Sequence, residues 1–371
     1  MLTIKSRSHD YNVENYTDLG DALGSISHRG KVLYLVDEVL LKIQPETFAP
    51  IIDGGLMISI QATEEQKSLE RLAPLFLQLL DRGIKRNDLL VVIGGGVLQD
   101  IGCFISSVLF RGIQWELIPT TLLAQADSCI GSKSSINIGS YKNQIGTFYP
   151  PHRVLLVPDI LSSLPWDEIR SGLGEVIKLQ LLKGKDDFEE LMGDLHAISP
   201  QGGSDMIAKW VMRSMLVKKP YIESDEHDMG IRNLLNYGHT FGHAYESATH
   251  YAIPHGIAVT LGMLTSTFLS MRLGLVEAAH YQDLKERLFE WHIPYGEMLR
   301  SADRQIILRA IRHDKKNTGD SINCILTRGC GRMEKIAVDF NQDLIPMIDE
   351  FIDCELEGKG IRKTEIQSSI S

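Results

Sequence analysis

Short apolar runs recur through the first 160 residues, separated by polar or glycine-bearing segments. KVLYLVD (31–37), GLMISIQ (55–61), DLLVVIGGG (88–96), IQWELIP (113–119) and RVLLVP (153–158) read as buried strands. Helical spacing fills residues 64–81 and 98–110 between them. Alternating β and α elements predict a parallel sheet with helices on its faces. Beyond residue 161 the pattern turns helical, over 165–182, 204–223, 237–250, 256–274 and 276–291. Strand signals return weakly at INCILTR (322–328) and EKIAVD (334–339), and a last helix is expected over 344–356. The polar residues from about 357 are expected to be disordered. The pattern therefore predicts an α/β domain over 1–160 and a mainly α-helical domain over 161–371.

Composition fits that division. A chain of 371 residues suits two domains, and 43% hydrophobic and 23% charged residues are ordinary for a globular protein. No apolar run reaches bilayer length, and the first residues lack the layout of a signal peptide, so a cytoplasmic protein is expected. The five cysteines are odd in number and form no CxxC pair, which suits reduced thiols. A net charge of -10 argues against nucleic acid or an anionic membrane surface as a partner. It leaves room for a small anion held in a local basic pocket.

Three stretches carry candidate chemistry. Gly94, Gly95 and Gly96 follow a strand and precede a helix, where a pyrophosphate can approach free backbone N–H groups. The GxGxxG spacing is absent, and a tight turn is the plainer reading. Residues 127–143, DSCIGSKSSINIGSYKN, combine small residues with Lys133, Lys142 and Asn143, and Thr120 and Thr121 precede them. Such a loop can wrap a phosphate or lie solvated. Finally, 4 of the 12 histidines fall within residues 233–256. His239 and His243 share a helix face and His255 opens the next helix, while His250 falls off that face. A metal usually takes a third ligand, which a carboxylate such as Glu175, three residues before Lys178 on an apolar helix, could supply. A chance gathering of histidines is the alternative.

Taken together, the motifs GGGVLQD, FRG, PTTLLAQADS, KN followed by IGTFYPP, GLGEVIK, RNLLNYGHTFGHAYE, HG and HDKKN occur in that order. Over roughly residues 30–330 the chain resembles the 3-dehydroquinate synthases and, more widely, the sugar phosphate cyclases. The resemblance implies a Rossmann-like domain binding NAD, a helical domain binding a divalent metal (zinc, with cobalt as an alternative), and a site in the cleft between them. It puts metal ligands at Glu175, His239 and His255, with His243 serving the substrate. The family's substrate is the sugar phosphate 3-deoxy-arabino-heptulosonate 7-phosphate. In the family, NAD transiently oxidises a hydroxyl, phosphate is eliminated, the hydride returns, and an intramolecular aldol closes 3-dehydroquinate. The implied activity is that of a carbon–oxygen lyase with no net redox change.

The same resemblance distributes the remaining residues. Asp127, Lys178, Lys218 and Asn236 match polar positions around the ring. Lys133, Asn143, His243 and either Lys315 or Lys316 match the phosphate side. Asp37, Glu64, Lys67, Asp100, Thr120, Thr121 and Lys142 join the glycines on the cofactor side. Arg111 matches an arginine that reaches across a homodimer interface. Arg232 stands seven residues before His239, close to two helical turns, and can aim a planar guanidinium at a substrate carboxylate. Its plainer reading is a surface pair with Glu223 or Asp225. Departures from the family pattern are Ile257 for a glutamate, Ser132 for a glycine, Val157 and Pro158 for DT, and Thr63 for a glycine. They suggest a divergent branch, so other sugar phosphate cyclases, an amino-dehydroquinate synthase, a metal-dependent polyol dehydrogenase and a non-catalytic binding protein stay open as rivals.

Overall fold

A computed structural model describes residues 1–139, 141–200, 202–312 and 320–356. Lys315, Lys316 and the polar end from 357 lie outside the described residues. By contacts the chain divides into two compact units, Met1–Leu235 and Asn236–Ser371. The first unit extends past residue 160, where the strand pattern gives way to helices, because the helices Trp166–Lys183 and Ser204–Ser224 pack on the turn around Asp127.

In the first unit, seven strands form one sheet. They are β1 (Leu2–Ile4), β2 (Tyr11–Asn15), β3 (Val32–Asp37), β4 (Met57–Ile60), β5 (Leu89–Gly94), β6 (Gln114–Pro119) and β9 (Arg153–Leu156), in the order β1-β2-β9-β6-β5-β3-β4. Within this sheet, among the described residues, only β1 and β2 pair antiparallel. All six residues of β5 are buried, as a central strand covered on both faces requires. After β3 the chain steps outward to β4, and after β5 it steps the other way to β6. The carboxyl ends of β3 and β5 therefore flank a topological switch point, the usual crevice for a ligand in an open α/β sheet.

The sequence pattern needs amendment at three places in this unit. The helix expected from residue 64 starts at Leu69, and residues 64–67 turn instead. The lysine-bearing segment is not a plain loop but contains a hairpin, β7 (Ile136–Ile138) with β8 (Tyr141–Ile145). The β1–β2 hairpin was not legible at all, since three- and five-residue strands give no period to count.

The second unit is mainly helical among the described residues and carries the antiparallel pair β10 (Ser321–Thr327) and β11 (Met333–Asp339). The helix expected to stop at 291 runs on, as Ala278–Arg300. The helix His255–Arg272 is buried along every face from Gly256 to Ser270, and the helix His239–Ala248 lies against it. A Cβ on Gly262 would fall 2.0 Å from the Gly238 carbonyl oxygen and 2.7 Å from Gly242 N, so the two backbones touch. Gly238, at φ +82, is itself closed in by Val259 O and Met263 N. Tyr237 and Tyr245 then tie the pair together through Thr267 and Thr265, at 2.6 and 2.7 Å. Among the described residues no helix is long and apolar enough to cross a membrane. Gly262→Ala is expected to lower the unfolding free energy by about 1–3 kcal/mol, as overpacking does. Denaturant titration checks this, and an unchanged midpoint would contradict the backbone contact.

Candidate active site

At the end of β5, Gly95 caps the helix Gly96–Val108. A Cβ on Gly94 would meet Leu98 at 2.7 Å, and one on Gly95 would meet Thr121 Cγ2 at 2.8 Å. Both glycines are needed for packing. A Cβ on Gly96 would meet nothing nearer than Ser128 Oγ at 4.0 Å, so this glycine leaves open space at the helix start. That is the cradle a pyrophosphate needs. Thr120 donates its N–H to Gly94 O at 3.1 Å, and Asp37 stands at the end of β3 across the switch point. Burial raises the Asp37 carboxyl above its usual range.

The other residues expected on the cofactor side include several that gather around one ammonium group. Lys67 Nζ lies 3.1 Å from Asp100 Oδ2, 3.0 Å from Asn143 Oδ1 and 3.5 Å from Glu64 Oε1. Lys142 Nζ reaches Glu64 at 3.8 Å. Asn143 adopts φ +54, a conformation asparagine tolerates, and its N–H is taken by Asn137 Oδ1 at 2.9 Å. Burial pushes the Asp100 carboxyl up to about 6 against the pull of Lys67.

A second cluster centres on Asp127, which lies in a wide π-type turn, Ala124–Ser128. Such turns often mark functional sites. Lys218 Nζ lies 2.8 Å from Asp127 Oδ1 and donates to Asp127 O at 2.6 Å. Lys178 Nζ stands 3.4 Å from Asp127 Oδ2 and also pairs with Glu175. Glu175 and Lys178 are 1% and 2% exposed, so these charges must compensate one another. Burial lowers the Lys218 amine, and the nearby Arg232 charge adds to this, so Lys218 ends below the usual lysine range. Lys178 ends above it, because Asp127 and Glu175 overcome its burial.

Arg232 sits in the short turn Ile231–Asn236 and is buried, which excludes a surface ion pair as its role. Its Nη1 donates to Glu226 O at 2.5 Å, and its guanidinium lies beside Gly131. Asp225 accepts the N–H groups of Met229, Gly230 and Arg232 at 2.9, 2.7 and 3.1 Å and so shapes the approach to this arginine. Lys133 pairs with Asp228, an acid that sequence reasoning missed. Arg111, at φ +64, is exposed beside Phe110.

In the second unit, His239, His243 and His255 each offer a ligand atom within 4.8 Å of the others. Imidazoles suit zinc or cobalt; this grouping takes in His243, which the resemblance gave to the substrate, while Glu175 belongs to the first unit and pairs there with Lys178. Asn236 opens this unit and is half-buried. His250 is exposed, as its off-face position predicted. Glu246, which sequence reasoning passed over, places both carboxylate oxygens 3.3 Å from His255 Nδ1. Its spacing three residues after His243 was the signal that could have found it.

Burial alone would raise the Asp127 carboxyl, but Lys178 and Lys218 more than offset this and hold it below the usual range. A folded-state value below the unfolded one gives stability that is present above pH about 4 and lost as pH falls through the folded value. Asp127→Asn is expected to cost about 3–5 kcal/mol at neutral pH by leaving two buried ammonium groups. It should also weaken the acid dependence of the melting temperature. A variant with wild-type stability at pH 7 would refute the shared-carboxylate picture.

Known proteins match most of the chain. The family model for the 3-dehydroquinate synthase N-terminal domain matches residues 57–171, and that for the C-terminal domain matches residues 172–317. The 3-dehydroquinate synthase of Dictyoglomus turgidum is 37% identical over 296 residues, 79% of this chain and 82% of the relative. That of Alkaliphilus metalliredigens is 32% identical over 312 residues, 82% and 86% of the two chains. A crystal structure of 2-deoxy-scyllo-inosose synthase complexed with carbaglucose-6-phosphate, NAD+ and Co2+ superposes with a TM-score of 0.81 at 23% identity, covering 95% of this chain and 98% of that one. The 2-epi-5-epi-valiolone synthase of Streptomyces hygroscopicus subsp. jinggangensis, with NAD+ and Zn2+ bound, superposes at 0.76 with 23% identity, over 93% and 99%. The fold is thus that of the sugar phosphate cyclases, and the chain belongs to the 3-dehydroquinate synthase family.

Proposed function

We propose that this chain eliminates phosphate from 3-deoxy-arabino-heptulosonate 7-phosphate and closes the product to 3-dehydroquinate. The observation that carries the reading is the buried Arg232 beside the Lys178–Lys218–Asp127 cluster, a cationic site inside a chain of net charge -10. Its membership of a family whose relatives bear that name supports it. The division near residue 160 is the functional one we favour, with NAD on the sheet side and the metal on the helical side.

Bound NAD supplies reversible hydride transfer, and a bound divalent metal, zinc for preference, supplies a Lewis acid for the substrate hydroxyls. The residues of the chain do the rest. Gly94, Gly95, Gly96, Asp37, Thr120 and Thr121 seat the cofactor, while Glu64, Lys67, Asp100 and Lys142 hold the wall beside it. Glu175, His239 and His255 are the ligand set we assign to the metal. Arg232 pairs bidentately with the substrate carboxylate. Lys178 and Asn236 hold ring oxygens. Lys218 Nζ, with its lowered proton affinity, is the group suited to exchange a proton with the substrate. Lys133, Asn143 and His243 face the phosphate; Asp228 holds the Lys133 ammonium until a substrate anion takes its place. Arg111, exposed on its strained turn, is assigned to the partner's site in a homodimer. The cytoplasm is the compartment we assign, in keeping with five cysteines that form no disulfide.

Purified enzyme with NAD and metal is expected to release inorganic phosphate from the keto acid phosphate without accumulating NADH. Stoichiometric NADH would identify a dehydrogenase instead. Exhaustive chelation should abolish phosphate release, and full activity in metal-free protein would overturn the metal assignment. Arg232→Ala is expected to weaken binding of the acid substrate by about 2–5 kcal/mol, as truncation of a buried charge pair does. Sedoheptulose 7-phosphate, which lacks the carboxylate, should not be turned over. Equal turnover of that neutral sugar by wild type would favour another cyclase.

A further inference from the structure

We infer that Glu246 sets the tautomer and ring orientation of His255, so that His255 offers Nε2 rather than Nδ1 to a metal ion. The inference rests on the metal reading above and assigns Glu246 as a positioning residue, not a ligand. Glu246 stands on the helix His239–Ala248 with His239 and His243, at helical spacings of i, i+4 and i+7 that share one face. The backbone contact at Gly262 fixes how far the start of the helix His255–Arg272 lies from that face. Both oxygens of Glu246 consequently come within 3.3 Å of His255 Nδ1. The Glu246 side chain is only 12% exposed, so the ring N–H takes over much of the stabilisation that water would give. An ionised carboxylate only accepts hydrogen bonds. Opposite such an acceptor, Nδ1 carries the proton, and a neutral imidazole then has its lone pair on Nε2. A carboxylate behind a ligating histidine fixes its orientation and raises its basicity.

The test uses the full chain, stripped of metal, with Co2+ as the probe, in wild type, Glu246→Gln and Glu246→Ala. Co2+ affinity is read from the visible absorption of the bound ion, and the His255 tautomer from the nitrogen chemical shifts of its ring in metal-free protein. Wild type is expected to show a protonated Nδ1 and an unprotonated Nε2. Glu246→Ala should weaken Co2+ binding about 10–100-fold. Glu246→Gln, which keeps a neutral acceptor of the same shape, should fall between the two and guards against misfolding of the alanine variant. Unchanged Co2+ affinity in both variants, or an Nε2–H tautomer in wild type, overturns the inference. Wild type that binds no Co2+ while showing the Nδ1–H signal sinks the metal reading, and with it the role of Nε2 as a ligand.

Discussion

Two ammonium groups share one carboxylate at Asp127, and much of the first unit is arranged to make that tolerable. Lys178 and Lys218 come from two different helices, and neither can be buried unless the other helix and the turn Ala124–Ser128 are in place. Isolated ions in such surroundings would lose several kcal/mol of hydration each. The cluster therefore couples docking of the helices Trp166–Lys183 and Ser204–Ser224 to the sheet unit, which explains why that unit runs on to Leu235. It also splits the two lysines electrostatically. One ends above the usual amine range and the other below it, so two residues of one type are suited to different tasks.

Much of this was legible from sequence, for identifiable reasons. β5 declares itself because a strand buried on both faces is an unbroken apolar run. The long helices of the second half carry enough turns for a 3.6-residue period to be counted, and the histidine spacing brings His239 and His243 to one face without any tertiary information. The β1–β2 hairpin and the β7–β8 hairpin were not legible, because their strands are short and pair through contacts set by distant segments. Much of the candidate site was named through motif resemblance rather than spacing. Asp228 and Glu246 escaped even that. The spacing of Glu246 after His243 marks a shared helix face, but what either acid restrains appears only when its partner is beside it.

The burial of Arg232 bears on two readings that the sequence left open. A pair with Glu223 or Asp225 at the surface was the bland alternative. Asp225 does contact this residue, but at its backbone N–H, as part of a loop clasp, while the guanidinium is held by Glu226 O and lies beside Gly131. Burial lowers the Arg232 guanidinium below its usual value, yet arginine stays charged in proteins. A fixed positive charge in a desolvated place strengthens any anion it meets, since screening by water is reduced.

The departure at Ile257 bears on the metal side. This residue is fully buried in the helix His255–Arg272, two positions after His255. A carboxylate at a position so enclosed would need a charged or hydrogen-bonding partner of its own. In this chain the position contributes only packing, and the carboxylate at His255 comes from the neighbouring helix, from Glu246. Orientation of that histidine is thereby made to depend on the separation of two helices rather than on one helix alone. The separation is itself fixed where Gly238 and Gly262 bring backbone against backbone. A change in packing at Gly262, about two turns along its helix from His255, would therefore reach His255 through Glu246, so the glycines bear on the candidate site as well as on the fold.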